Sequence, residues 1–188
     1  MKLLPSWALP GALLLLTTAS ALPQGDLPAY ITANNSPSPT DAAFISTALS
    51  KVNAIRAIYS AAPLEWSAPI AAVAFNKSNG CILNHEGIYG ENAYAFWANP
   101  PDRKPDFLDQ MRKAFDAWAA DHERLAYLDG RLLDGGHFTQ TVWKASRFMG
   151  CAFSTVRCAN NVNQEWWFYC DFDPAGNVIG DYERNVST

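Results

Sequence analysis

FMGCAFSTVRCANNVNQEWWFYCDFD, residues 148–173, decides the fold. Apolar side chains recur at every second position: Met149, Cys151 and Phe153 in its first part, Trp166, Phe168, Cys170 and Phe172 in its last. A period of two is that of a strand with one face buried. The polar run Ala159-Asn160-Asn161-Val162-Asn163-Gln164 suits the turn between them, so the segment reads as an antiparallel hairpin. With the turn centred between Asn160 and Asn161, Cys151 and Cys170 are equidistant from it and able to face each other at bridging distance. Cys158 is then left for Cys81.

Upstream of the hairpin the period changes to that of helices. Leu108, Met111, Phe115, Trp118, His122 and Leu125 alternate steps of three and four from a Pro105-Asp106 start, which predicts one continuous helix. On that helix Asp121 borders the apolar stripe, His122 lies on it as a core or hydrogen-bonded residue, and Glu123 is expected to be solvated. A second helix is expected from Ser67 and Pro69 to a stop at Asn79-Gly80, with Ile70, Val73 and Ala74 as its apolar stripe. An earlier one starts at Thr40-Asp41 and carries Phe44, Ile45, Ala48, Leu49, Val52, Ile55 and Tyr59. Helices before and between strands, without a repeated βαβ unit, indicate an α+β layered domain.

Lys2, the apolar stretch from Trp7 to Leu16 and the small residues Thr17 to Ala21 have the form of a secretory signal cleaved after Ala21. The apolar run is broken by Pro10 and is shorter than the ~20 residues that span a bilayer, so no transmembrane segment is expected. Residues 22–40, with Pro23, Pro28, Pro37 and Pro39 and little apolar surface, read as a flexible linker, and residues 41–188 as one domain. All four cysteines lie after the signal, and an even count in an oxidising compartment predicts two bridges. The 14 basic residues, one of them Lys2 in the signal, form no cluster and face 18 acidic ones, which excludes nucleic acid as an expected partner. Asn34, Asn76 and Asn185 head candidate glycosylation sequons.

Two peptides carry a resemblance: Gly136-His137-Phe138-Thr139-Gln140-Thr141-Val142-Trp143 and Tyr169-Cys170-Asp171-Phe172-Asp173-Pro174-Ala175-Gly176-Asn177-Val178. They resemble the two signatures of the CAP superfamily, which comprises cysteine-rich secretory proteins, insect antigen 5 and plant pathogenesis-related 1 proteins. Asn53-Ala54-Ile55-Arg56, Leu64-Glu65-Trp66, Cys81 with His85, Gly90-Glu91-Asn92, Trp118 and Gly150-Cys151 match in order, so the resemblance spans about residues 42 to 186. It implies a three-layer α-β-α sandwich and the pairing Cys81 with Cys158 and Cys151 with Cys170. Fungal sterol-binding members look especially similar, through Gly-His-Phe-Thr-Gln and Asp-Pro-Ala-Gly-Asn.

The resemblance also implies a cleft tetrad of His85, Glu91, Asp121 and His137, which spacing alone does not reveal. Two imidazoles and two carboxylates can hold a divalent cation such as zinc or magnesium, or share protons in a hydrogen-bonded cluster. Here Asp121 stands where Glu is usual, so its carboxylate reaches about 1.5 Å less far and metal binding is expected to be weak. Val52 replaces the usual His before Asn53, and Asp171 and Phe172 replace a polar residue and a tyrosine. Tyr94, Phe96 and Trp97, ahead of the proline-rich stretch to Pro105, admit two readings: core packing of a short strand, or a lip for an apolar ligand. No catalytic residue is assigned, since there is no G-x-S-x-G and no P-loop and the cysteines are taken up in bridges. What the resemblance implies is an extracellular carrier of sterols or related lipids. The alternatives are a protein that binds a host or cell-surface partner without a ligand of its own, and a metal-dependent hydrolase.

Overall fold

The computed structural model describes residues 36–81, 83, 85, 87–97, 105–132, 134–159 and 164–188. The expected signal, most of the expected linker and Asn34 lie outside the described residues. The linker's end does not: Ser36 and Pro39 are buried against the domain.

Helix α1 (Ala42–Ile58) starts where Asp41 accepts a hydrogen bond from the Phe44 amide at 2.8 Å, and it buries Phe44, Ala48, Val52 and Ile55. After the short strand β1 (Glu65–Trp66), helix α2 (Ala68–Gly80) is capped by Ser67. It ends at the expected Asn79-Gly80 stop, and the cap residue Cys81 takes the left-handed conformation at φ 55°. Strand β2 (Gly90–Phe96) comes next, then helices α3 (Phe107–Trp118), α4 (Asp121–Leu128) and α5 (Gly136–Thr141). The chain ends with strands β3 (Phe148–Phe153), β4 (Cys158–Ala159) and β5 (Gln164–Asp173) and helix α6 (Tyr182–Asn185).

The strands are ordered β1-β3-β5-β2, with β4 also pairing β5; β1 runs parallel to β3 and the other pairs are antiparallel. In the expected hairpin Cys151 stands opposite Cys170, and the two are bridged; the other bridge joins Cys81 to Cys158. Alternation sends Met149, Cys151, Phe153, Phe168, Cys170 and Phe172 to one face, where they meet α1, α3 and α5 through Phe44, Met111, Phe115, Trp118 and Phe138. Ala152 and Tyr169 point to the other face and meet Ala74 and Phe75 of α2. The result is a mixed sheet between two helical layers, an α-β-α sandwich. Helix α2 lies so close to β3 that a Cβ on Gly150 would stand 2.1 Å from the Ala71 nitrogen, which only glycine permits.

A buried cation ties these elements together. Arg56, fully buried near the end of α1, donates to the carbonyls of Ala62, Thr141, Trp143 and Ser146 at 2.8–3.1 Å, tying α1 to the chain that leaves α5 and enters β3. Burial, with the field of Arg147 adding, lowers its pKa to about 10, so the group remains charged at neutral pH. Arg56→Met leaves several buried carbonyls without donors and is expected to destabilise the fold by about 3 kcal/mol or more. Arg56→Lys should recover only part, because an ammonium lacks the planar fork of five donors. Urea denaturation of the two variants checks this order; equal midpoints for Arg56→Met and the parent would refute it.

Candidate functional site

The two signature peptides clasp each other at one edge of the sheet. Asn177 donates to the Gly136 carbonyl at 2.9 Å, and the Gly176 amide donates to Gln140 Oε1 at 2.7 Å. Gln140 in turn leaves no room at Gly90, where a Cβ would fall 1.9 Å from Oε1. Asn92 of β2 donates to the His137 carbonyl and to Thr141 Oγ1, at 3.0 and 3.1 Å. These contacts fix α5, and with it His137, beside the start of β2.

Around this clasp the charged groups form two pairs. His137 stacks on the Trp118 ring at 6.3 Å, and its Nδ1 meets Glu123 Oε1 at 2.7 Å. On the other side His85 Nδ1 lies 2.8 Å from Glu91 Oε1, a close contact out of line for a hydrogen bond. Glu91 is the register partner of Asp171 across β2 and β5, and both carboxylates are buried. Lys77, from the last turn of α2, donates to Glu91 Oε2 and lies 3.4 Å from Asp171 Oδ1.

The electrostatics derive from that burial. Desolvation works against the Lys77 charge, but the hydrogen bond to Glu91 and the fields of Asp171 and Glu91 outweigh it, so Lys77 ionises above its ordinary value. Asp171 is pushed up to about 7, chiefly by burial and further by Glu91, with Lys77 opposing. Tyr169 is held above the usual phenol range by burial, with Glu91 and Asp171 adding.

Asp121 is not where the motif match puts it. Its side chain is 87% exposed and pairs with Arg124 at 3.6 Å, whereas Glu123, expected to be solvated, is 9% exposed and holds His137. The cause is a break in the helix. Helix α3 stops at Trp118 and α4 restarts at Asp121, across Ala120 in an extended conformation (φ −66°, ψ 151°). The restart changes the phase, so Glu123 and Ala126 turn inward while His122 and Leu125, expected on the apolar stripe, turn outward. A full-length carboxylate therefore stands at the histidine after all, supplied two residues later.

The donors do not fit a four-ligand metal centre. Among the described residues no three of His, Cys, Asp and Glu stand close enough together to hold an ion. Glu91 Oε1 and Glu123 Oε2 are buried without a hydrogen bond, but each carboxylate serves its own histidine, and Glu91 already neutralises Lys77. No hydrolytic step is derived through this site.

Of the expected apolar lip, Phe96 is a core residue at 4% exposure, packed edge-on against Phe107 and Phe153. Tyr94 stacks on Phe96 and packs against the same core, so the core-packing reading holds for both. Trp97, one residue beyond β2, is 60% exposed. The proline-rich stretch after it, residues 98–104, lies outside the described residues. Asn185 is unsuited to a glycan: it is buried, its Nδ2 donates to the Asp181 carbonyl and its Oδ1 accepts from the Ala145 amide. Asn76 is exposed on α2.

Lys77, Glu123 and Asp171 are the site residues that sequence reasoning missed. Asp171 carried a signal, as a carboxylate inside an aromatic strand on the face opposite Cys170 and Phe172; Lys77 and Glu123 carried none without the helix phases.

The sequence profile of the cysteine-rich secretory protein family (CAP) matches residues 49–172. Secreted protein PRY1 of Candida albicans is 30% identical over 153 residues, covering 78% of this chain but 33% of its own length. Pathogenesis-related protein 1C of Nicotiana tabacum is 35% identical over 136 residues, covering 68% of this chain and 73% of that protein. The chain thus spans a third of the length of the first relative and about three quarters of the second. The crystal structure of NaASP2 with Zn2+ has the same fold, with a TM-score of 0.58 at 20% identity over 74% of this chain and 84% of that one.

Two outcomes test the geometry. Glu123→Ala removes the partner of His137 from a buried position and is expected to cost about 1–3 kcal/mol in urea denaturation, while Asp121→Ala changes stability little. The reverse order would return Asp121 to the site. Asp171 ionises near its ordinary 3.8 in the unfolded chain and at about 7 in the fold, so the folded state holds the extra proton between those values. Its contribution to stability therefore falls as pH rises from about 4 to about 7. Asp171→Asn should flatten that slope, and an unchanged slope across the range would count against the assignment.

Proposed function

This chain belongs to the cysteine-rich secretory protein family, and on that premise we propose that it is an extracellular protein that binds and carries sterols or related lipids. Its extracellular location is supported by its likeness to secreted relatives and by its two disulfides. No helix among the described residues is long and apolar enough to cross a membrane. The ligand class rests on the resemblance to fungal sterol-binding members.

The observation that carries the binding reading is the exposed indole of Trp97. The chain buries Phe96 and then sets a large apolar ring in solvent at the end of the edge strand β2, ahead of a proline-rich stretch. A sterol presents one hydroxyl and a flat hydrocarbon surface, so its affinity comes mainly from apolar area removed from water, at about 25 cal/mol per Å². Trp97 offers such area; the charged pairs around His85 and His137 do not.

A second reading, a protein partner at a host or cell surface, is favoured by the exposure of Ile88 and Ile179, near the two loops that meet at Gly90 and Gly176. It is supported too by similarity to plant pathogenesis-related proteins.

Radiolabelled sterol binding by the purified secreted protein separates the two. Trp97→Ala is expected to weaken binding by on the order of tenfold, as loss of a large aromatic contact does. His137→Ala should bind like the parent. Phe96→Ala is uninformative, since it damages the core. Parent affinity in Trp97→Ala would place the ligand elsewhere, and no sterol binding by the parent would favour the partner-protein reading.

A further inference from the structure

We propose that the ammonium group of Lys77 is the resident cation of the cleft, holding Glu91 and Asp171 in place of a divalent ion and keeping zinc from the His85 side. This inference concerns the charged cleft and does not depend on the lipid reading.

Three features carry it. Glu91 and Asp171 are register partners on one face of the sheet, and both are buried. Two carboxylates taken out of water side by side need a positive charge between them. Lys77 supplies it from α2: its Nζ contacts both, is itself only 17% exposed, and is overlain by the chain at Gly87, where a Cβ would come within 3.7 Å of it.

The consequence for a metal is direct. A zinc ion binds carboxylate and imidazole at about 2 Å, and at tetrahedral angles its ligands stand about 3.3 Å from each other. His85 Nδ1 and Glu91 Oε1 stand 2.8 Å apart, closer than two ligands of one tetrahedral ion. The other oxygen of the same carboxylate holds Lys77, so an arriving dication meets an ammonium at the far end of its own ligand. Asp171 turns its near oxygen to Lys77 as well, and its other oxygen is buried without a hydrogen bond. The group that fills this site is therefore part of the chain.

Calorimetric titration of the purified protein with zinc chloride near neutral pH tests it. Lys77→Met keeps much of the stem and removes the charge; it is expected to bind zinc more tightly than the parent by on the order of tenfold or more, the size of effect that neighbours of a metal site exert. Lys77→Arg retains the charge and should behave as the parent. The gain should vanish when Glu91→Gln or His85→Ala is added to Lys77→Met. Because Lys77→Met leaves two buried carboxylates unpaired, Lys77→Met with Asp171→Asn is measured beside it, with near-ultraviolet circular dichroism reporting the fold. Folding of either variant that appears only when zinc is added also counts in favour. A folded variant with parent affinity for zinc, or a gain that survives His85→Ala, overturns the proposal. So does a parent protein that binds zinc and loses it in His85→Ala, whatever the variants do.

Discussion

The placement of α5, and of His137 on it, depends on Arg56. A guanidinium buried without a carboxylate partner needs other acceptors, and here each of its three nitrogens donates to a carbonyl, four in all: Ala62, Thr141, Trp143 and Ser146. Those carbonyls lie at or beyond the ends of regular elements, where the next turn or strand supplies too few donors. One side chain therefore sets the exit of α5 and the start of β3 relative to α1. His137 sits on the helix so held, and the register of β3 against β5 begins a few residues later.

The aromatic core fills the space this frame leaves. Phe44, Phe115, Trp118 and Phe153 surround Phe168 with ring centroids 4.5–6.5 Å apart, which gives the sheet a close-packed face against α1 and α3. On the opposite face Ala74 and Phe75 of α2 pack on Ala152 and Tyr169, and at Gly150 the helix backbone approaches the strand directly. That approach delivers Lys77 to the sheet at Glu91 and Asp171.

The site consists of the His137–Glu123 contact and a separate cluster of His85, Glu91, Lys77 and Asp171. His137 is held by the signature clasp, by Trp118 and by Glu123; His85 leans on a carboxylate that belongs first to Lys77. An assembly of this kind holds its groups against each other, and among the described residues no three of its donors converge as a metal centre needs.

The hairpin of β3 and β5, its cysteine register, the starts of α1 and α2 and the family resemblance were legible in the sequence, because they rest on local periodicity, capping and short motifs. The same periodicity misled at residues 119–126. An apolar repeat through His122 and Leu125 reads as one helix, but the chain leaves the helix at Ala119 and Ala120, and α4 restarts in a new phase that puts Glu123 in the place assigned to Asp121. Alternation alone could not tell whether Phe96 or Trp97 was the exposed ring, since a strand's buried face is set by the layers packed on it. Lys77, Glu91 and Asp171 are far apart in sequence, and no spacing rule joins them. Only the stacking of α2 on the sheet brings the three charges within bonding distance, and the cost of burying them unpaired keeps them there.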